Sequence, residues 1–138
     1  MRFMVIVKAN SESEAGVMPS TELLAAMGRY NEELARAGVL VSGDGLHPSS
    51  KGVRLRYTTG APVVTDGPFT ETKELIAGYW IFNCASRDEA VDWLKRAPFG
   101  PDAEVEIRQI FSAEDFGEAL TPELKQQEDR IRKTVGRK

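Results

Sequence analysis

Two side chains of this sequence could carry proton-transfer chemistry near neutral pH, His47 and Asp66. An imidazole titrates near neutrality, and a carboxylate at hydrogen-bond distance fixes its tautomer and stabilises its cation. His47 would then be the general acid and base, and Asp66 its orienter. The same residues fit a structural role, with His47 packing or bonding to backbone in Leu46-His47-Pro48 and Asp66 holding a turn. Asp66 opens the run Asp66-Gly67-Pro68-Phe69-Thr70-Glu71-Thr72-Lys73-Glu74. Asp-Gly-Pro is first a turn, because the carboxylate bonds amides further along, glycine frees φ and proline fixes the exit. Thr70, Glu71 and Lys73 either orient a small polar ligand or form a salt-bridged, solvated loop edge. Arg54, which shares a strand face with Arg56, binds a carboxylate or faces water. Asp44, flanked by Gly43 and Gly45, starts a turn or faces a pocket. A mononuclear metal on Asp44, His47 and Asp66 has no ligand-spacing motif behind it, so no metal and no cofactor is expected.

These residues need a scaffold. The chain has 138 residues, 41% of them hydrophobic and 28% charged, which predicts one globular domain with a real core. Its 18 basic and 21 acidic residues give a net charge of −3, without the basic excess that a nucleic-acid backbone demands. The apolar run Phe3-Met4-Val5-Ile6-Val7 is closed by Lys8, too short for a signal-peptide core or a membrane span, and the expected location is cytoplasmic. One cysteine, Cys84, and one histidine exclude an internal disulfide and the usual multi-Cys/His zinc site.

Arg2 to Lys8 reads as a strand, and Asn10 to Glu14 with Gly16 and Pro19 as a loop. Leu23, Met27, Tyr30 and Leu34 then fall at helical spacing, with Ser20 or Thr21 as cap and Gly38 as stop. Val39-Leu40-Val41 is a short strand, and Ser42 to Ser50 a structured loop. Gly52 to Thr59 alternates apolar and polar residues and turns through Gly60-Ala61-Pro62 into Val63-Val64-Thr65, a hairpin. Ala77 to Ala85 resumes as a strand. Ser86-Arg87-Asp88-Glu89 is a capping box for a helix striped by Ala90, Leu94 and Ala97 that stops at Pro98. Val105 to Phe111 closes the sheet. Residues 118–138 form a polar helical extension to a domain over residues 1–117, with Phe116, Leu120 and Leu124 as apolar anchors and Thr121-Pro122 as helix start.

The order βαβ, hairpin, βαβ predicts an α+β, ferredoxin-like split βαβ fold with an inserted hairpin. Two helices cover one sheet face, yet the first strand is apolar on both faces (Phe3, Val5, Val7 against Met4, Ile6). So is the later one (Tyr79, Ile81 against Trp80, Phe82). The second face needs cover from a second copy, as an isologous homodimer with a pocket between sheets and loops, or from the C-terminal tail. Trp80 and Phe82 are expected in the core or dimer packing, and Cys84 as a buried, inert thiol.

The run Asp66 to Glu74 resembles the signature loop of the DGPF subgroup of the YCII-related family. Gly43-Asp44-Gly45-Leu46-His47-Pro48, Gly78-Tyr79-Trp80-Ile81, Asp88-Glu89-Ala90-Val91-Asp92-Trp93 and Val105-Glu106-Ile107-Arg108 resemble its other blocks, in the same order, over residues 1–117. The resemblance implies a dimeric α/β barrel and an association with sigma-factor systems of the extracytoplasmic-function type. In the wider group a His/Asp pair with its histidine on the first helix is taken as a catalytic dyad. Thr21 to Ala37 contains no histidine, so that role does not transfer and His47 is the only substitute. The readings left open are an enzyme acting on a small polar molecule, a ligand-binding or regulatory accessory protein, and a dimeric scaffold.

Overall fold

In the computed structural model, which describes residues 1–136, the elements follow in a fixed order. The chain runs β1 (Arg2–Lys8), α1 (Ser11–Glu14), α2 (Thr21–Arg36), β2 (Leu40–Gly45), β3 (Val53–Arg56), β4 (Val63–Asp66), β5 (Ile76–Asn83), α3 (Arg87–Lys95), β6 (Val105–Gln109) and α4 (Pro122–Gly136). Short 3-10 turns lie at Ser49–Lys51, Thr72–Glu74 and Ala113–Ala119. The main sheet has the order β2-β5-β1-β6, with every neighbouring pair antiparallel. Strands joined by a long helix are thus separated by a strand from the other unit, the split βαβ arrangement of a mixed α+β fold. β3 and β4 pair only with each other, as the inserted hairpin.

Local chemistry sets the helix ends. Ser20 Oγ accepts from the Leu23 amide at 3.1 Å, and Gly38 takes φ +73°, a left-handed exit that glycine adopts without strain. Ser86 Oγ accepts from Glu89 N at 3.1 Å, whereas the Glu89 carboxylate reaches the amide of Ala85 rather than that of Ser86. Two sequence readings are corrected. Asn10 to Glu14 is not loop throughout: Asn10 and Ser13 cap each other and start α1. Ser42 to Gly45 is strand, because the edge of β5 offers it partners, with Gly43 opposite Trp80 and Gly45 opposite Gly78. Pairing with a neighbour overrides the turn preference of Ser-Gly-Asp-Gly.

Phe3 and Val5 of β1 and Trp80 and Phe82 of β5 point to the helical face. There they meet Tyr30 and Leu34 of α2 and Ala90 of α3. Trp80 is the aromatic hub, with ring centroids 5.7 Å from Tyr30, 6.0 Å from Phe82 and 5.9 Å from Phe99. Cys84 is buried beside them, and that burial pushes its thiol pKa up, which disfavours the reactive thiolate.

Tyr30 ties the two helices together, its hydroxyl donating to the Trp93 carbonyl at 2.6 Å. Burial pushes its phenol up to about 12. In the unfolded chain the phenol ionises near pH 10, so the stability it supplies is complete below about pH 10 and is lost as pH rises towards 12. The melting temperature is therefore expected to fall more steeply between about pH 10 and 11 in the wild type than in Tyr30→Phe. Parallel curves would show that the phenol does not govern alkaline stability.

The opposite sheet face carries Met4, Ile6, Tyr79 and Ile81, each only half-buried, with Asp44 at one edge and Glu106 and Arg108 at the other. Of the two covers considered for this face, the tail supplies none among its described residues. α4 buries no residue, and Leu124, Ile131 and Val135 remain exposed along it.

Candidate functional site

The Asp66 to Glu74 run is clamped from below. The Gly67 amide donates to the Gly52 carbonyl at 2.9 Å, and a Cβ on Gly67 would overlap the backbone oxygen of Ser49, so this position requires glycine. The Phe69 amide donates to Ser49 Oγ at 3.0 Å. Ser49 in turn donates from Oγ at 2.8 Å and from its amide at 3.0 Å to one carboxylate oxygen of Glu14. Glu14 and Ser49 escaped the sequence reading. The signal available was Asn10 followed three residues later by Ser13, a helix start that brings Glu14 onto a short helix.

Above this clamp the structure brings Arg54, Thr70 and Glu71 together. The Arg54 guanidinium lies 3.8 Å from the centroid of the Phe69 ring and 3.7 Å from the Glu71 carboxylate. Thr70 Oγ1 donates to the same carboxylate at 3.3 Å. These groups satisfy one another at an exposed surface, where such pairs contribute little stability. Lys73 sits exposed on the Thr72–Glu74 turn. Asp66 ends β4 opposite Val53, and His47 follows β2; both are exposed. No hydrogen bond or ion pair joins His47 to Asp66 within the chain, the ion pair nearest in sequence to Asp66 being that of Arg54 and Glu71. Asp44 is engaged elsewhere: its carboxylate accepts from the Tyr79 hydroxyl at 3.2 Å, and this hydrogen bond to a carboxylate holds the phenol above its ordinary pKa. Among the described residues no three His, Cys, Asp or Glu side chains converge as a metal site would require.

A different place has the shape of a binding site. Between α2 and the paired ends of β2 and β5 lies a cavity of about 400 Å³, bounded by Gly43, Gly45 and Gly78 on the sheet, Leu23, Met27 and Asn31 on α2, and the rings of Trp80 and Phe99. Cavities of this size and apolar lining are what small ligands occupy. Of the strand glycines, Gly45 is the one that opens onto empty space. A Cβ on Gly43 would lie 2.5 Å from Trp80 Cδ1, and one on Gly78 would lie 3.0 Å from the Asp44 carbonyl oxygen, whereas one on Gly45 would meet nothing within 4 Å. Trp80 Nε1 donates to Asn31 Oδ1 at 3.0 Å across the cavity wall. Sequence reasoning placed Gly43 and Gly45 in a loop, Gly78 on a strand, and passed over Asn31. The signal was a polar residue four positions after Met27, on the apolar stripe of α2. A larger cavity of about 520 Å³ lies at the exit of β6, but one of its walls is α4, which buries no residue.

Among curated proteins, an uncharacterised protein of Rhizobium meliloti strain 1021 is 39% identical over 72 residues, 52% of this chain and 56% of the relative. The match thus spans little more than half of that relative's length. Among solved structures, 5-chloro-2-hydroxyhydroquinone dehydrochlorinase from Burkholderia phenoliruptrix AC1100, in complex with 2,5-dihydroxybenzoquinone, aligns with a TM-score of 0.41 at 20% identity. That alignment covers 81% of this chain and 96% of the other. The YCII-related domain matches residues 1–114, which takes in the whole four-stranded sheet, both long helices packed on it, the hairpin and the clamped loop. On that match, the chain belongs to the YCII-related domain family.

Proposed function

We propose that this protein binds a small molecule in the cavity beneath α2, as a member of the DGPF subgroup that works as a homodimer. The cavity carries the reading: about 400 Å³ lies between α2, the core tryptophan and the Gly45–Gly78 pair, and a Cβ on Gly45 would meet nothing within 4 Å. An apolar groove of this size beside a packed core is the shape a small ligand fills. The dimer reading rests on the open sheet face, where Met4, Ile6, Tyr79 and Ile81 form an apolar centre inside a rim of Asp44, Glu106 and Arg108. An apolar centre with a polar rim is the anatomy of an interface, and two such faces back to back close a dimeric α/β barrel. An enzymatic use of His47 and Asp66 requires the ligand or the second copy to draw together two side chains that are not bonded within one chain. Thr70, Glu71, Lys73 and Arg54 do not line the cavity of their own chain, so contact with its ligand would have to come from the second copy.

Gly45→Leu tests the cavity. The new side chain enters empty space, so the fold is expected to melt within about 4 °C of the wild type, as a change of no more than roughly 1 kcal/mol would give. Retention of metabolites from a cell extract filtered below about 1 kDa, read by mass spectrometry, is expected to fall at least tenfold. Equal retention by both proteins would overturn the reading.

A further inference from the structure

Resting on the proposed use of this cavity, the chemistry of its walls narrows what enters it. Indole nitrogen only donates, so the Asn31 atom 3.0 Å from Trp80 Nε1 is the amide oxygen. That contact pins the amide and leaves Nδ2, a donor of two protons, without a partner among the described residues on a side chain that lines the cavity. The floor is narrow. Gly45 faces Gly78, whereas over Gly43 the Trp80 indole takes the place a Cβ would fill, so the bare backbone is the Gly45–Gly78 pair, with Val7 beside it. Phe99 stands edge-on to that indole, with an interplanar angle of 67°. Among the described residues no lysine, arginine or histidine lines the cavity, and Asp44, which borders it, pairs with Tyr79 on the opposite sheet face, where its carboxylate accepts from the Tyr79 hydroxyl.

We infer that the cavity takes a neutral, planar ring bearing a hydrogen-bond acceptor, laid on the Gly45–Gly78 backbone against Trp80 with its acceptor on Asn31 Nδ2. The lack of Cβ atoms at that pair lets the face of a flat ring come closer to the backbone than a puckered ring can. The two aromatic walls favour offset or edge-to-face contact with such a ring. A carboxylate or phosphate would find no cation here, and its desolvation would go uncompensated.

The test follows the Trp80 indole N–H signal of nitrogen-15-labelled protein by NMR, assigned by its persistence in Trp93→Phe. Three probes are titrated: benzamide (flat, neutral), cyclohexanecarboxamide (the same acceptor on a puckered ring) and benzoate (flat, anionic). Benzamide is expected to shift the Trp80 signal saturably and to bind at least about tenfold more tightly than either of the others. Asn31→Asp keeps an oxygen for the indole but has no N–H to offer, so it should retain the Trp80 signal and weaken benzamide by about tenfold. If the puckered or anionic probe binds as well as benzamide, or Asn31→Asp binds it unchanged, the ring inference falls while the ligand-binding reading stands. A Trp80 signal unmoved by all three probes overturns the inference too, and the broader reading fails separately only if Gly45→Leu retains the same metabolites as the wild type.

Discussion

Gly67→Ala is expected to detach the 67–74 loop from the body of the protein. The added methyl overlaps the Ser49 carbonyl oxygen, which belongs to backbone and cannot rotate aside as a side chain would. Either the loop or the Ser49–Lys51 turn has to shift, and both hydrogen bonds that hold the loop, Gly67 N to Gly52 O and Phe69 N to Ser49 Oγ, are lost together. At about 1 kcal/mol for each bond, with the Arg54 contact on Phe69 released as well, the total is roughly 2–4 kcal/mol. The readout is hydrogen exchange, with the Phe69 amide expected to lose its protection in the variant. Gly60→Ala at the hairpin tip is the control, because a Cβ there meets only the Thr58 hydroxyl at 4.0 Å. If Phe69 exchanges equally slowly in both variants, Gly67 does not hold the loop.

Ile81→Lys is expected to turn a dimer into a monomer without unfolding it. Ile81 points away from the helices, on the half-buried face opposite the Phe3, Val5, Trp80 and Phe82 layer, so the core keeps every contact. Across a two-fold axis the substitution places two unpaired ammonium groups in the apolar centre of the interface, each costing about 3 kcal/mol or more. Even one such cost weakens dimerisation more than a hundredfold. Light scattering at micromolar concentration should give twice the 15.2 kDa chain mass for the wild type and the chain mass for the variant. A wild type that scatters as a single chain at every concentration would remove the dimer.

The parts of the fold that were legible in the sequence are those where local preference and long-range packing agree. Of the helical stripe Leu23, Met27, Tyr30 and Leu34, the last two are the residues α2 buries, Met27 is half-buried and Leu23 is exposed. Thr121-Pro122 marks the start of α4 to the residue. The alternation of Phe3, Val5 with Met4, Ile6 gave the two sheet faces. What was misread is where the two disagree. Ser42-Gly43-Asp44-Gly45 has the composition of a turn, yet the free edge of β5 draws it into the sheet. That one misreading hid the cavity, because its floor forms only when Gly45 pairs with Gly78 beneath α2. Arg54 and Glu71 were both singled out, but their meeting depends on the hairpin folding back over Phe69, a long-range event with no local trace.

The Glu14 grip on Ser49 also ties distant parts of the chain to one surface. Glu14 lies 35 positions before Ser49, and Ser49 lies 20 before Phe69, so the loop is anchored by a chain of contacts between three separate segments. The order of the Thr70 to Glu74 surface therefore depends on α1 and on the Ser49–Lys51 turn as well as on the loop itself. Anything that recognises that surface reads, at second hand, whether those two segments are in place.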